Sequence, residues 1–154
     1  MTEIPMRLTY FTDYTLRALI YLGLHQDRLV TIDEIACAYE ISRNHLMKIV
    51  HHQSQKGVIE TVRGKGGGMR LGLLPSEICV GDIVRDTEQD IALVACFDPA
   101  HHGECRIESA CSLRHALMQA SAAFYRTLDN YSLADLLQPR TQLSALFNLP
   151  ANPT

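Results

Sequence analysis

The first part of the chain alternates between amphipathic helical segments and short polar breaks. A first helix is expected after a cap at Thr12 or Asp13, because apolar residues then recur at helical spacing. The run Thr31–Glu34 (TIDE) has the pattern of a capping box, and Ser42 is expected to cap the next helix, which Gly57 ends. In that last helix, the residues expected to face the core are Leu46, Ile49, Val50 and Gln53. Two short helices joined by a tight turn predict a helix-turn-helix.

After Gly57 the periodicity changes from helical to alternating. Val58–Val62 and Met69–Leu73 predict two strands, and the glycine-rich run Arg63–Gly68 predicts the turn between them. A helix-turn-helix followed by a β-hairpin is a winged helix. We therefore expect a winged helix-turn-helix DNA-binding domain over residues 1–76.

The rest of the chain is expected to form a connecting segment and a dimerisation helix. Residues 77–111 contain a predicted helix around Val80–Glu88 and then an aperiodic loop, whereas residues 112–147 contain a long helix capped by Ser112 and a C-terminal helical segment. The long helix has an apolar stripe made of Leu113, Ala116, Leu117, Ala120 and Phe124. So small a domain leaves little for this stripe to cover, so a second copy of the chain is its expected partner. The tail, 148–154, is expected to be disordered. The fold class is mainly α with a small β-hairpin, a winged helix-turn-helix plus a long dimerisation helix.

Composition and charge distribution narrow the class of protein. The chain of 154 residues is 47% hydrophobic and 20% charged, which is ordinary for a globular protein. It has no apolar run near the roughly 20 residues of a membrane helix and no signal-peptide pattern at its start, so we expect a cytoplasmic protein without a membrane partner. The net charge of −3 argues against a generic nucleic-acid binder. However, residues 41–72 hold six Lys or Arg and one acid, a local charge of +5, while residues 77–154 hold five Arg and ten acids. A basic surface can therefore meet DNA while the acidic part points away.

The basic residues lie where a winged helix reads DNA. A recognition helix contacts base edges mainly with its first turns, and Arg suits guanine as Asn suits adenine. The expected DNA-contacting residues are Ser42, Arg43, Asn44, His45, Lys48, His51, Arg63, Lys65 and Arg70. His52 and Lys56 are expected to join His51 at phosphates, and the basic wing to enter a minor groove. The alternative interpretation is a solvated helix face and a flexible hairpin tip. A phosphate-binding loop is excluded because neither glycine pattern of such loops is present.

Three cysteines in the aperiodic loop are the strongest candidates for chemistry. Cys96, Cys105 and Cys111 lie within sixteen residues of irregular chain, which allows their sulfurs to converge. Thiolates are soft ligands, suited to iron–sulfur clusters, zinc or Cu(I). Buried, incidental thiols remain an alternative. Zinc held together with His101 or His102 is another.

Outside this loop we find no further candidate chemistry. Cys37 and Cys79 fall at apolar positions of predicted helices, so both are expected in the core. The sequence has no nucleophile–base pair, no nucleotide-binding loop and no paired carboxylates on one face. We therefore expect that the protein is not an enzyme.

Four runs of the sequence together resemble a known family. They are Met6–Leu19 (MRLTYFTDYTLRAL), Ser42–Lys48 (SRNHLMK), Val62–Gly72 (VRGKGGGMRLG) and Asp129–Asp135 (DNYSLAD). The chain resembles the NsrR-like nitric-oxide-sensing iron–sulfur repressors, within a family of dimeric winged-helix regulators that also includes IscR. The resemblance covers about residues 6–147.

The resemblance implies a cofactor and its ligands. It implies an iron–sulfur cluster, [4Fe–4S] with [2Fe–2S] as the alternative, held by Cys96, Cys105 and Cys111. The fourth ligand implied is a carboxylate from the other chain, Asp13 of the partner subunit. Arg17 is expected to hold Asp13 in position.

The residue three positions after Cys111 favours the NsrR-like branch of the family over the IscR-like branch. IscR-like members have a histidine ligand three residues after it, where this chain has Arg114, with His115 one step further. The loop between Cys96 and Cys105 is a few residues longer than is usual in the family, and it contains His101 and His102. The implied function is a homodimeric repressor that binds a double-stranded operator with inverted-repeat half-sites and releases it when nitric oxide reaches the cluster. The alternatives are a [2Fe–2S] redox or iron-status sensor and a zinc-stabilised winged-helix regulator.

Overall fold

The architecture is helical, with one small sheet. The computed structural model describes residues 7–89 and 92–148. The expected disorder of the tail is wrong for Asn148, which is the last residue of the final helix, and for residues 149–154 it falls outside the described residues. The helices are α1 (Tyr10–Leu24), α2 (Ile32–Tyr39), α3 (Arg43–Gln55), α4 (Val80–Thr87), α5 (Ser112–Asp129), α6 (Leu133–Leu136) and α7 (Arg140–Asn148), and the strands are β1 (Ile59–Val62) and β2 (Gly68–Leu71). Short 3₁₀ segments lie at Pro75–Glu77, Ala95–Phe97, Pro99–His101 and Glu108–Ala110. The predicted fold class, mainly α with a small β-hairpin, is confirmed.

Local capping explains where the helix-turn-helix begins and ends. The backbone N–H of Thr31 donates to Glu34 Oε2 at 2.8 Å and the N–H of Glu34 donates to Thr31 Oγ1 at 3.2 Å, which completes the predicted capping box of α2. Ser42 Oγ accepts from the N–H of His45 and caps α3. Gly57 follows the end of α3 with a φ of +75°, a conformation that favours glycine. These three sequence predictions are confirmed.

The start of α1 differs from the prediction. The cap is Thr9, whose hydroxyl accepts from the N–H of Thr12, so the expected cap at Thr12 or Asp13 is wrong. Thr12 is fully buried and its hydroxyl donates instead to Thr87 Oγ1 at 2.8 Å. The N–H of Thr9 donates to Glu88 Oε1 at 2.6 Å. The contacts of α1 with α4 therefore fix its first turn.

The core forms around α1, which packs against α3, α4, α6 and β2. The four residues of α3 expected to face inward are all buried: Leu46, Ile49, Val50 and Gln53. Leu19 and Leu22 of α1 and Ile35 of α2 complete this part of the core with at most 1% exposure. Burial of such side chains stabilises the fold by about 1.5–3 kcal/mol each, and it holds the recognition helix against α1.

The wing is a two-stranded antiparallel hairpin, and both strands are shorter than predicted. Met69 also exchanges two backbone hydrogen bonds with Val30, at 2.7 and 2.9 Å, which ties the wing to the segment before α2. At the turn, a Cβ on Gly67 would overlap the carbonyl oxygen of Val62. The close backbone approach therefore requires a glycine there.

The long helix α5 is present as predicted, but it begins one residue earlier and its cap is different. Cys111 occupies the N-cap position and its Sγ accepts from the N–H of Arg114 at 3.3 Å, so Ser112 is the first helical residue rather than the cap. Every residue of α5 lies in the described part of the chain, and none of them is buried. Leu113, at the start of the predicted apolar stripe, is 64% exposed. In the single chain the stripe is only partly covered, since Leu117 and Phe124 are half-buried while Leu113, Ala116 and Ala120 are exposed.

The expectation for the two cysteines outside the loop is wrong for Cys37 and holds only in part for Cys79. Cys37 is exposed because α2 buries Ile35, and a residue two positions later points about 200° away around the helix. Cys79 is half-buried and lies at the N-cap of α4 rather than within it. Neither cysteine is a packed core residue.

The helix α7 goes beyond the short helical segment expected after residue 132. Arg140 donates to the carbonyl oxygens of Gly23 and Leu24, at 3.3 and 2.9 Å, and so satisfies the end of α1. Phe147 packs edge-to-face against Tyr21 with ring centroids 5.2 Å apart. Among the described helices, none is long and apolar enough to span a membrane.

Candidate DNA-binding surface and metal centre

The residues expected to contact DNA all lie at the surface of α3 and the wing. The exposed set comprises Ser42, Arg43, Asn44, His45, Lys48, His51, Arg63, Lys65 and Arg70. The first turns of α3 are exposed because its buried face begins with Leu46. Their side chains are therefore accessible to a duplex.

Two of these arginines are engaged with acids within the chain. Arg43 Nη1 lies 3.0 Å from Asp33 Oδ1, and both side chains are more than half exposed. Arg70 donates to both carboxylate oxygens of Glu60, at 2.9 and 3.2 Å, and these hydrogen bonds hold the pKa of Glu60 below its usual value. Exposed ion pairs of this kind contribute little to stability. Phosphate or base contacts can therefore replace them.

His52 and Lys56, which we expected at phosphates, bind an acid of α4 instead. Asp86 Oδ2 lies 2.7 Å from His52 Nε2, and Asp86 Oδ1 lies 3.0 Å from Lys56 Nζ. This contact could not be predicted from local sequence pattern, because Asp86 lies 34 residues from His52. Both residues therefore have a partner within the chain, and their contact with phosphates stays a prediction.

A series of contacts between polar and aromatic side chains connects Asp13 on α1 to the recognition helix α3. Asp13 and Arg17 form two contacts of 3.0 Å, so the expected pairing is present. The Arg17 guanidinium lies 6.0 Å from the ring of Tyr14 and 5.9 Å from that of Tyr39, and burial raises the pKa of Tyr39 to about 12. The rings of Tyr14 and His45 lie 5.8 Å apart. Asp13 is thus connected to the first turn of α3 by direct neighbours.

The three loop cysteines are free thiols near the start of α5. Cys96 and Cys111 are half-buried and Cys105 is exposed. The N–H of Arg114 points to Cys111 Sγ, and a helix N-terminus favours a negatively charged group. Arg114 Nε is buried, and no described residue accepts a hydrogen bond from it. This donor set of soft thiols beside positive groups fits an anionic thiolate-ligated cluster.

The two histidines of the loop face carboxylates. His101 Nδ1 lies 3.0 Å from Glu104 Oε2, and His102 Nδ1 contacts Glu108 Oε1. Glu108 also accepts from the N–H of Gly103 at 2.7 Å, and this bond holds its pKa below the usual value. The histidines therefore help to shape the loop through acids, which is a structural role that the sequence did not indicate.

A compact set of possible ligand atoms lies elsewhere. Among the described residues, Cys79, Asp82 and Asp129 bring three such atoms within 4.8 Å of one another, and the loop cysteines do not form such a compact set. Arg85 already binds this group: it donates to both oxygens of Asp129, at 2.6 and 2.7 Å, and to Asp82 at 3.3 Å. The guanidinium neutralises the acids, so we interpret this group as an ion-pair cluster between α4 and α5.

Comparison with known proteins identifies relatives along nearly the whole chain. The Rrf2 family model, described as an iron-dependent transcriptional regulator, matches residues 8–139. The HTH-type transcriptional regulator NsrR of Geobacillus kaustophilus is 48% identical over 142 residues, covering 92% of this chain and 96% of that protein. NsrR of Bacillus subtilis is 43% identical over 145 residues, covering 94% and 99%. The solved structure of T. potens IscR has a TM-score of 0.71 at 23% identity, covers 90% of this chain and 91% of that one, and supports the fold.

Proposed function

The chain belongs to the Rrf2 family of transcriptional regulators, and from this premise we propose that it is a repressor that senses nitric oxide through an iron–sulfur cluster. It is a regulator and not an enzyme. The observation that carries the proposal is the contact route on α1, because it joins Asp13, the implied ligand, to His45 on the recognition helix. A change at Asp13 can therefore reach the DNA-reading residues.

The residues that would hold the cluster are Cys96, Cys105 and Cys111, with [4Fe–4S] as the favoured form and [2Fe–2S] as the alternative. A bound cluster would supply iron atoms that react with nitric oxide. Cys111 takes part through a sulfur that already accepts a backbone N–H, and such hydrogen bonds stabilise a thiolate. Arg114, which is half-buried with its Nε enclosed, adds a positive charge to this segment. These residues create a local environment suited to an anionic centre.

The remaining ligand is proposed to be Asp13 of the partner subunit. Support for a homodimer comes from α5, where Leu113, Ala116 and Ala120 of the apolar stripe are exposed in the single chain. Arg17 holds the Asp13 carboxylate through two contacts, which limits the orientations it can take. Loss of this ligand would remove the tie between the two chains beside the Arg17–Tyr14–His45 group, and the two recognition helices of the dimer would lose their common register on the half-sites.

On DNA, we assign base contacts to the start of α3 and backbone contacts to the rest. We assign Arg43 and Asn44 to guanine and adenine edges, with Ser42, His45 and Lys48 contacting the duplex beside them. His51 contacts phosphate. The wing enters the adjacent minor groove, where a narrow groove attracts basic side chains, through Arg63, Lys65 and Arg70.

Substituting Asp13 tests the link between cluster and DNA. Asp13→Asn should retain wild-type iron and sulfide content, because the three cysteines remain. The fold should be little affected, since an exposed i,i+4 pair contributes only about 0.2–0.5 kcal/mol. Operator affinity of the iron-loaded protein should nevertheless fall about tenfold, within the usual 5–150-fold range of such couplings. Iron analysis, thermal unfolding and DNA-binding titrations measure the three quantities.

The matched control is Asp27→Asn, which removes an exposed carboxylate from the turn after α1. It should behave as wild type in all three measurements. If the iron-loaded Asp13→Asn protein bound its operator as tightly as the control, Asp13 would have no part in the switch.

A further inference from the structure

The end of α4 contacts three other helices through four consecutive residues. We call residues 85–88 the α4 junction. Arg85 binds α5, Asp86 binds α3, and Thr87 and Glu88 bind the start of α1. Because successive helical residues point in different directions, one turn can hold three elements at once. The junction lies directly before the segment that contains the loop cysteines.

Asp86 is the contact of this junction with the recognition helix. Its two oxygens accept from His52, in the last turn of α3, and from Lys56, the residue that directly follows this helix. The Asp86 and His52 side chains are only about a quarter exposed, at 26% and 25%. Partial burial opposes ionisation of Asp86, but hydrogen bonds from Lys56 and His52 outweigh it and lower its pKa. The carboxylate is therefore charged near neutral pH and holds two donors.

His52 is also held from the side of α1. Its ring packs edge-to-face on Phe11, with centroids 5.6 Å apart and planes at 81°. The last turns of α3 are thus fixed between α1 and α4. Since a helix is a rigid rod over this length, fixing its end fixes the direction of its first turns.

The other residues of the junction make it rigid. Arg85 pairs with Asp129 through two short hydrogen bonds, and its guanidinium lies 4.7 Å from the ring of Tyr125. Thr87 Oγ1 accepts from the buried Thr12 and donates to the carbonyl oxygen of Ile83. Asp86 therefore projects from a turn that is itself anchored on both sides.

We propose that Asp86 is a positioning residue for operator recognition: by binding His52 and Lys56 it sets the angle of the recognition helix relative to α1 and α5. The inference rests on the proposed function only in taking α3 as the helix that reads DNA. Asp86 does not touch DNA in this proposal. Its loss changes which sequences are bound tightly, and the affinity for random duplex stays the same.

The test compares Asp86→Asn with Asp82→Asn on the same helix. Asp82 has a 77% exposed side chain and its ion pair is with Arg85, so it controls for loss of a negative charge on α4. The operator probe is a duplex selected by the wild-type protein from a randomised pool, and a scrambled duplex is the reference. Asp86→Asn should weaken operator binding about tenfold, leave scrambled-duplex binding within about twofold, and speed amide exchange at residues 52–57 about tenfold.

Two further variants separate positioning from contact and from misfolding. Arg43→Ala should weaken operator binding without any change in exchange at residues 52–57, because it removes a proposed base contact. Lys56→Gln removes the exposed ion pair between Lys56 and Asp86 but keeps the contact of Asp86 with His52. It should give an intermediate loss of operator affinity and a wild-type melting temperature. Iron content is measured for each protein, so that loss of the cluster is recognised separately.

The proposal is overturned if Asp86→Asn binds operator like Asp82→Asn, or if operator and scrambled duplex lose affinity equally. It is also overturned if affinity falls while exchange at residues 52–57 stays at the wild-type rate. A wild-type protein that selects no sequence from the pool contradicts the proposed function, whereas the exchange rates still report whether Asp86 fixes α3.

Discussion

Replacing Cys111 by alanine is expected to remove iron and sulfide from the protein and, with them, operator-specific binding. Alanine offers no donor atom, and the neutral hydroxyl of serine is a far weaker ligand for iron than a soft thiolate. Operator affinity should then fall to the level of random duplex, a loss of at least about a thousandfold. Iron and sulfide analysis of protein isolated without oxygen, together with DNA-binding titrations at fixed salt, measures both effects. Cys96→Ala and Cys105→Ala should give the same result.

Cys111 also caps α5, so a second variant separates this role from ligation. Cys111→Ser keeps a good N-cap, whereas alanine costs about 0.5–2 kcal/mol at such a position. The serine variant should therefore melt like the iron-free wild type and still contain no cluster. Cys37→Ala, which removes an exposed thiol on α2, should retain both iron and operator binding. A Cys111→Ser protein with full iron content would refute the assignment of this ligand.

Ala120→Glu on α5 is expected to dissociate the dimer and abolish operator-specific binding. Ala120 lies in the exposed apolar stripe, and no residue of this helix is buried in the single chain. In a symmetric dimer the substitution appears on both sides of the interface. An uncompensated charge in an apolar interface costs about 3–5 kcal/mol, which raises the dimer dissociation constant at least a hundredfold. Sedimentation at micromolar protein concentration measures the mass.

Ala122→Glu is the matched control, since Ala122 is also exposed and points about 200° away from Ala120 around the same helix. It should remain dimeric and bind operator. If both variants stayed dimeric, the stripe on α5 would not be the dimer interface.

Local pattern sufficed for the winged helix itself. The capping box at Thr31, the cap at Ser42 and the turn at Gly57 each depend on residues close in sequence, and the structure confirms all three. The buried face of α3 followed from helical periodicity alone. The glycine-rich run predicted the hairpin turn, although the strands came out shorter.

Contacts between distant residues could not be read from the sequence. Thr12 looked like a helix cap, but its hydroxyl bonds Thr87, 75 residues away, and Thr9 caps α1 instead. His52 looked like a phosphate contact until Asp86 of α4 was seen beside it. Cys37 has an apolar side chain on an amphipathic helix, yet it falls outside the narrow buried face of α2. Tertiary partners decide each of these cases.

The candidate metal centre was likewise predictable in part from the sequence, while its tertiary contacts were not. Soft thiols in an aperiodic loop indicated metal chemistry, and family resemblance supplied the ligand set around Asp13. The capping of α5 by Cys111 and the burial of Arg114 Nε appear only in three dimensions. The pairing of His101 and His102 with acids was likewise hidden, because many acids lie nearby in sequence.

The most direct test of the central claim is the operator affinity of the unmodified protein, isolated without oxygen, before and after addition of nitric oxide at fixed salt. We predict a coloured protein that contains iron and sulfide, binds its selected duplex tightly, and falls to random-duplex affinity once nitric oxide is added. A colourless protein that contains zinc, or a protein whose operator affinity is the same with and without nitric oxide, would contradict the account.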